Sequence, residues 1–164
     1  MTRIRSDQPL MPSVLDRLLD DQPDHKTEPM ASQAQVLRQV RNSVRRDLEN
    51  LLNTRCRAVS IPKEFTELQK SIVAYGIPDI SGADLANQAT RRAFLRTVEN
   101  VIRHFEPRFK TVKVSSLQNS DPSDRMLRFR IDAMMYAYPA PEPVVFDSAL
   151  EPGSRNFEVQ EPKL

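Results

Sequence analysis

The chain has 164 residues, of which 39% are hydrophobic, and such a chain can form one domain that buries about two thirds of its unfolded surface. Its 24 basic and 22 acidic side chains leave a net charge of only +2, too small for whole-molecule attraction to nucleic acid or an anionic membrane. Arginines outnumber lysines by 18 to 6. Because arginine is favoured where proteins contact each other, this bias favours a protein interface.

A single cysteine, Cys56, excludes an intramolecular disulfide and favours a reducing compartment. His25 and His104 lie far apart and lack a second His or Cys at ligand spacing, so we expect no metal ion and no other cofactor. The first residues lack the apolar core of a signal peptide, and no run approaches the roughly 18 apolar residues of a membrane span. These features predict a soluble cytoplasmic protein without direct membrane insertion.

Residues 1–31 are rich in Pro, Asp and Gln, which predicts a flexible N-terminal tail. Its exception is SVLDRLLDD, where Val14, Leu15, Leu18 and Leu19 fall at helical spacing and predict a short amphipathic segment. That segment either docks on its own domain or contacts a partner. Residues 32–164 are predicted to form a single domain.

From Ser32 onward, apolar residues recur every three or four positions, which predicts a helix of about 20 residues with Ser32 as its N-cap. The apolar positions are Val36, Leu37, Val40, Val44, Leu48, Leu51 and Leu52. The other face carries Arg38, Arg41, Arg45 and Arg46, relieved by Asp47 and Glu49. This face is either solvated or a binding surface, and no recognised nucleic-acid motif accompanies it.

Two further helices are expected. The first runs from Pro62 through Phe65, Leu68, Ile72 and Tyr75, and Gly76 and Pro78 stop it. The next begins near Asn87 or Thr90 and buries an apolar face before it reaches Pro107. That face consists of Phe94, Leu95, Val98, Val101, Ile102 and Phe105.

After Pro107 the apolar period changes from near four to two, which indicates strands. Val112 and Val114 mark the first strand, and residues 127–137 alternate strictly. VVFDSAL follows as a third strand, EPGS as a turn, and RNFEVQ as a short final strand. The order predicts an α+β fold with about three helices packed on one face of a small, mostly antiparallel sheet that ends in a C-terminal hairpin.

The stretch HFEPRF joins the last helix to the first strand. Pro107 disfavours the helical conformation at Glu106, so we expect the helix to stop and Glu106 to be extended, with Arg108 on the same side. Pro107 either merely ends the helix or presents the charged pair to a partner. An exposed, unpartnered pair stabilises a fold by only about 0–1 kcal/mol. On that premise, Glu106→Gln and Arg108→Ala leave thermal stability nearly unchanged.

Five segments together resemble a known family. They are SVLDRLLDD, RRDLENLLNTR, SIVAYGIPDISG, FLRTVENVIRHFEPRF and VVFDSALEPGSRNFEVQ. The chain resembles the TssE family, the baseplate wedge proteins of bacterial type VI secretion systems. That family is similar to the sheath-initiator proteins of contractile phage tails, which are often labelled lysozyme-like. Glu106, Pro107 and Arg108 match the signature triplet of the family.

The resemblance implies a structural role in a cytoplasmic baseplate associated with a membrane-anchored secretion apparatus. The expected partners are other wedge subunits and contractile sheath subunits, with no small-molecule substrate and no nucleic acid. The C-terminal strands are expected to join sheath strands at a sheet edge, although Glu158 and Pro162 could instead blunt that edge. The implied interface residues are Glu106, Pro107, Arg108, Leu15, Leu18, Leu19, Arg55, Val144, Phe146, Phe157 and Val159.

The lysozyme-like label raises the alternative of a glycoside hydrolase acting on peptidoglycan. Such enzymes normally use two carboxyls about 5–10 Å apart, one of them a proton donor. Glu106 could be one, but the neighbouring Arg108 favours its ionised form. The chain has no Trp and only three Tyr to hold sugar rings. We therefore predict a protein that is not an enzyme.

Overall fold

The computed structural model describes residues 13–18, 32–57, 61–62, 64–80, 87–117, 126–137, 140–150 and 156–162. The described helices are α1 (Val14–Leu18), α2 (Gln33–Asn53), α3 (Thr66–Gln69) and α4 (Gln88–Phe105), with a 3-10 turn at Ile72–Ala74. The described strands are β1 (Phe109–Ser116), β2 (Leu127–Met135), β3 (Glu142–Leu150) and β4 (Phe157–Gln160). This element order confirms the predicted α+β class.

The four strands form one antiparallel sheet in the order β1-β2-β3-β4. In β2 the buried residues alternate with more exposed ones, as the sequence pattern predicts. The buried face packs against α2 and α4, where the ring of Phe94 stacks on Phe157 with their centroids 6.3 Å apart. Strands β1 and β4 form the two edges, and β4 pairs only with residues 147–150 of β3.

Both long helices begin with side-chain caps: α2 at Ser32, as predicted, and α4 at Asn87, one of its two predicted starts. The Ser32 side chain accepts a hydrogen bond from the Gln35 backbone, while the Gln35 side chain accepts one from the Ser32 backbone. At α4 the Asn87 side chain accepts from the Ala89 N–H. Because each cap satisfies N–H groups that lack a partner within the helix, it fixes where the helix starts. The predicted apolar positions of α2 from Val40 to Leu52 lie in the core.

The predicted continuous helix from Pro62 to Tyr75 is wrong. α3 has only four residues, and the Ser71 side chain accepts from the Val73 N–H to start a separate 3-10 turn. The apolar side chains of Phe65, Leu68 and Ile72 are 56%, 39% and 87% exposed. A helix of that length needs a buried apolar face, and here the face is not covered. The serine bond also gives the backbone a local alternative to the helix.

Gly76 holds the next segment against the end of α2. Its φ of 105° lies in the left-handed region, which glycine adopts without strain. A Cβ at this position would lie 2.5 Å from the Thr54 carbonyl oxygen. That oxygen accepts a hydrogen bond from the Ile77 N–H at 2.9 Å, and the Cys56 N–H donates to the Ile77 carbonyl at 2.9 Å. Gly76 is therefore required by both its conformation and the close approach of two backbones.

Some predictions fall on residues outside the described ranges. These include the EPGS turn, Leu19 and, apart from residues 13–18, the tail that was predicted for residues 1–31. The division of the chain at residue 32 stays a prediction. Among the described helices, none is long and apolar enough to cross a membrane.

Candidate functional site

Glu106, Pro107 and Arg108 form a tight turn between α4 and β1. The Glu106 N–H donates the last helical bond to the Ile102 carbonyl at 2.8 Å, and the Phe109 N–H donates to the Glu106 carbonyl at 3.3 Å. This closes a turn with Pro107 at its second position, where the fixed φ of proline is favoured. The predicted helix stop is confirmed. Glu106 leaves the helical region, with φ −111° and ψ 84°. The chain does not continue extended to Arg108, as predicted, because the turn over Pro107 and Arg108 brings the two charges together.

The Glu106–Arg108 ion pair is buried. Arg108 Nε donates to Glu106 Oε1 at 2.6 Å, and Arg108 Nη2 donates to Glu106 Oε2. Oε1 also accepts the backbone N–H of Arg108 at 3.1 Å. Glu106 is 4% exposed and the Arg108 side chain is 19% exposed. The premise of an exposed, weakly stabilising pair is therefore wrong, because the pair faces the interior and binds other elements of the fold.

Helix α2 supplies two more partners for the arginine. Asp47 Oδ2 accepts from Arg108 Nη2 at 2.6 Å, and Ser43 Oγ accepts from Nη1 at 3.2 Å. Burial lowers the pKa of Arg108, but its hydrogen bonds and attraction to Glu106 and Asp47 outweigh that and raise the pKa above its usual value. The charged guanidinium thus connects the α4–β1 junction to α2.

The network continues into α1 through Asp16. Asp16 Oδ2 accepts from Ser43 Oγ at 2.7 Å, and Oδ1 accepts from Arg46 Nη2 at 2.7 Å. α1 therefore docks on its own domain, one of the two predicted alternatives. The docking uses its polar side, while its apolar side chains remain exposed to solvent. Their exposures are 74% for Val14, 55% for Leu15 and 75% for Leu18, so a partner contact remains open to them.

Asp16→Asn is expected to release α1 from α2. Burial raises the pKa of Asp16, but hydrogen bonds from Ser13, Ser43 and Arg46 lower it well below its usual range. A carboxyl with a lowered pKa contributes its full stabilisation of the docked state above its unfolded pKa of about 3.9. That contribution declines as the pH falls below this value and is lost as the pH passes through the lowered pKa of the docked state. A spin label at Leu18→Cys, in a Cys56→Ser background, should therefore gain mobility at neutral pH in Asp16→Asn. In the unmodified network its mobility should rise progressively as the pH falls below about 4.

The control for this measurement is Asp132→Asn, which removes an exposed carboxylate from β2. It should leave the label as immobile as in the parent protein. Equal mobility in the parent and Asp16→Asn proteins at neutral pH would show that Asp16 does not hold α1.

A cleft of about 460 Å³ lies beside the turn. It is lined by Ser13, Asp47, Leu51, Tyr75, Phe105, Glu106, Pro107 and Arg108. The rings of Tyr75 and Phe105 meet edge to face with centroids 5.3 Å apart, and Pro107 is exposed. Burial, together with the negative charges of Asp47 and Glu106, raises the pKa of Tyr75. The cleft can accept a partner side chain against aromatic rings beside a charged network.

The outer edge of β4 is bonded to α2. The Phe157 N–H donates to Asn53 Oδ1 at 2.8 Å, and Asn53 Nδ2 donates to the Phe157 carbonyl at 2.9 Å. The Val159 carbonyl accepts from Arg45 Nη1 at 3.3 Å, and Arg45 also contacts Glu49 at 3.1 Å. β4 is thus an edge strand, as expected for a sheet edge that could receive a partner, but its Phe157 N–H and the Phe157 and Val159 carbonyls are bonded to side chains of α2. Glu158 and Pro162, the predicted alternative, are not the groups that make these bonds.

The remaining predicted interface residues lie apart from the turn. Arg55 is half-buried, and its Nη1 donates to the Leu52 carbonyl at 3.2 Å. Four residues point into the core because they occupy the inward positions of β3 and β4. They are Val144, Phe146, Phe157 and Val159, which are 5%, 1%, 1% and 0% exposed. Their side chains are covered within this chain, so only their backbone is placed to meet a partner.

The arginines of α2 are largely committed to internal contacts. Arg41 pairs with Glu142 at 2.6 Å, while Arg45 and Arg46 make the contacts given above. Of the four, Arg38 is exposed. Much of the positive charge on this face is thus neutralised. Within the described ranges, no group of three or more His, Cys, Asp or Glu side chains is arranged to hold a metal ion.

Sequence reasoning missed Asp16, Ser43, Asp47 and Asn53 as site residues. A signal existed for two of them, because Ser43 and Asp47 are one helical turn apart beside core positions of α2. Asp47 also interrupts the arginine face. No local pattern marks Asn53 as a partner of β4.

Comparison with known proteins gives the family. None of the curated proteins matches the chain. A chain in a solved structure of "The baseplate complex from the type VI secretion system" is similar at 20% identity and a TM-score of 0.48, over 70% of this chain and 96% of that chain. The family model "Baseplate wedge protein gp25" matches residues 38–140, which include most of α2, all of α4 and the Glu106–Arg108 turn. The match confirms the predicted wedge resemblance, and the chain belongs to the baseplate wedge protein gp25 family.

Proposed function

We propose that the chain is a structural subunit of a type VI secretion baseplate in the cytoplasm, where it contacts other wedge subunits and helps initiate the contractile sheath. The family match over residues 38–140 carries the baseplate role. Segments such as SVLDRLLDD and FLRTVENVIRHFEPRF support the type VI assignment because they resemble the TssE family. The expected association with a membrane-anchored apparatus belongs to the same proposal.

A wedge contact surface is proposed around α1 and the cleft. We define this surface by Leu15, Leu18, Tyr75 and Pro107. Asp16 anchors α1 to α2, and Ser13 at the start of the same segment lines the cleft, so the exposed leucines are held near its rim. Exposed apolar side chains beside a pocket are typical of protein contact sites. A neighbouring wedge subunit that covers them would also cover Pro107.

The double variant Leu15→Glu/Leu18→Glu tests this surface. Both side chains are more than half exposed, so we expect the fold to remain intact, as measured by circular dichroism and thermal unfolding. Charges on a contact that excludes water should prevent association. In a tagged pull-down from cells, read by mass spectrometry, the variant should lose the wedge components that the parent chain recovers.

Ile72→Glu is the matched control because Ile72 is an apolar residue 87% exposed outside the proposed surface. It should recover the same partners as the parent chain. Full recovery by the folded leucine double variant would contradict the wedge contact surface.

We propose no catalytic role for Glu106. Both of its carboxylate oxygens accept hydrogen bonds from Arg108, and the residue is buried. A glycosidase acid needs a protonated oxygen that can reach the leaving group. In this geometry both carboxylate oxygens of Glu106 are used to bind the Arg108 guanidinium. The assembly role therefore accounts for more of the observed contacts than glycoside hydrolysis does.

Contact with the sheath is proposed at the β4 edge of the sheet. Addition of a partner strand uses main-chain hydrogen bonds, so it does not require exposed apolar side chains on β4. This fits the burial of Phe157 and Val159. Their backbone groups are the part of β4 that an added strand would meet.

A further inference from the structure

The Asn53 carboxamide occupies the place of a strand residue beside β4. It accepts from the N–H and donates to the C=O of the same residue, Phe157. In a strand these two groups point to the same side, so the Phe157 pair points away from β3. Its register partner Leu150 therefore forms a non-hydrogen-bonded pair with it. The planar amide offers Phe157 one of its N–H donors and its oxygen acceptor, as a neighbouring backbone would.

Arg45 continues the same arrangement two residues along. Val159 has the same orientation as Phe157, and its carbonyl accepts from Arg45. Three outward backbone groups of β4 are thus bonded to side chains of α2. We call Asn53 and Arg45 the edge mask. An edge strand with free backbone groups is a template for unwanted pairing with other chains. The edge mask supplies hydrogen-bond partners for these groups within one molecule.

We infer that the edge mask closes the β4 edge in the free protein and is displaced by an incoming strand of a partner. The identity of that strand as a sheath strand rests on the proposed function. Displacement exchanges side-chain hydrogen bonds for backbone ones at the same atoms, so the edge loses no partner in the exchange. Arg45 retains Glu49 after it leaves Val159.

There is open space beside the mask for the displaced groups and the new chain. A cleft of about 630 Å³ is lined by Glu49, Asn53, Met126, Ala149, Asn156, Phe157 and Glu158. It therefore includes both members of the Asn53–Phe157 contact. The occupant we infer is an extended segment whose backbone pairs with Phe157 and Val159.

Amide hydrogen exchange on the purified full chain tests the mask. In Asn53→Ala the Phe157 amide should exchange about fivefold faster, because one hydrogen bond of this kind contributes on the order of 1 kcal/mol. The Glu158 amide, which faces β3, should keep its protection. Asn50→Ala is the control, since Asn50 is exposed on the same helix and should change neither amide. Unchanged Phe157 exchange in Asn53→Ala would overturn the inference.

Displacement is tested by sheath formation in cells. The folded Asn53→Ala chain should support sheath assembly at least as well as the parent chain, because the mask leaves the edge during pairing. Loss of assembly in that variant would overturn displacement. If the parent chain itself supports no sheath, the proposed function fails while the exchange result on the mask still stands.

Discussion

Arg108→Ala is expected to lower the free energy of unfolding by about 3–5 kcal/mol, because it leaves a buried carboxylate without its cation. Glu106 loses both guanidinium bonds, and Asp47 and Ser43 lose their link to the α4–β1 junction. Chemical denaturation monitored by circular dichroism would measure the change. This expectation replaces the one drawn from the sequence, which assumed an exposed pair.

Arg130→Ala is the matched control. Arg130 makes the same two-bond contact with Asp147, at 2.7 and 2.9 Å, but its side chain is 39% exposed. Water can replace the lost partner of Asp147, so Arg130→Ala should lower the free energy of unfolding much less than Arg108→Ala does. A double variant, Glu106→Leu/Arg108→Met, leaves no uncompensated buried charge and should recover most of the stability. Equal losses in Arg108→Ala and Arg130→Ala would contradict the structural role of the buried pair.

Gly76→Ala is expected to destabilise the protein by at least about 2 kcal/mol, since a left-handed conformation costs an L-residue about 1–3 kcal/mol before any clash is counted. The added Cβ would also lie 2.5 Å from the Thr54 oxygen, which is backbone and cannot rotate away. Denaturant unfolding measures the loss. The Cys56 and Ile77 amides should lose exchange protection, because their hydrogen bonds join these segments.

Pro78→Ala serves as the control for Gly76→Ala. Pro78 is exposed two residues further along, and its replacement mainly loosens the unfolded chain, by less than about 1 kcal/mol. A similar effect of both substitutions would mean that Gly76 holds no special geometry.

The long helices and the strands follow from local rules in the sequence. Ser32 and Asn87 fix the starts of α2 and α4, and alternation fixes β2. The segment from Pro62 to Tyr75 has a comparable apolar spacing, yet it forms no continuous helix. Spacing shows which side chains share a face, but it does not show whether another element covers that face.

The site was only partly predictable because its contacts are distant in sequence. The triplet at Glu106 was visible, but Arg108 meets Asp47 across 61 positions and Asn53 meets Phe157 across 104. Such pairs depend on how α2 lies over the sheet. The exposure of the Glu106–Arg108 pair was predicted wrongly for the same reason, because neighbours in sequence do not reveal that α2 covers the pair.

One helix therefore supports both proposed contacts. Ser43 and Asp47 hold the Glu106–Arg108 turn, while Arg45 and Asn53 hold the β4 edge. In this account the turn is a permanent part of the fold and the edge mask is temporary. A wedge subunit would meet a fixed surface, whereas a sheath strand would meet one that must open.

Electron cryomicroscopy of an assembled baseplate containing this chain would test that difference most directly. We predict an added strand bonded to the backbone of Phe157 and Val159, the Asn53 side chain turned away from β4, and Glu106 still paired with Arg108. A map in which Asn53 remains on Phe157 and no strand lies beside β4 would contradict the account.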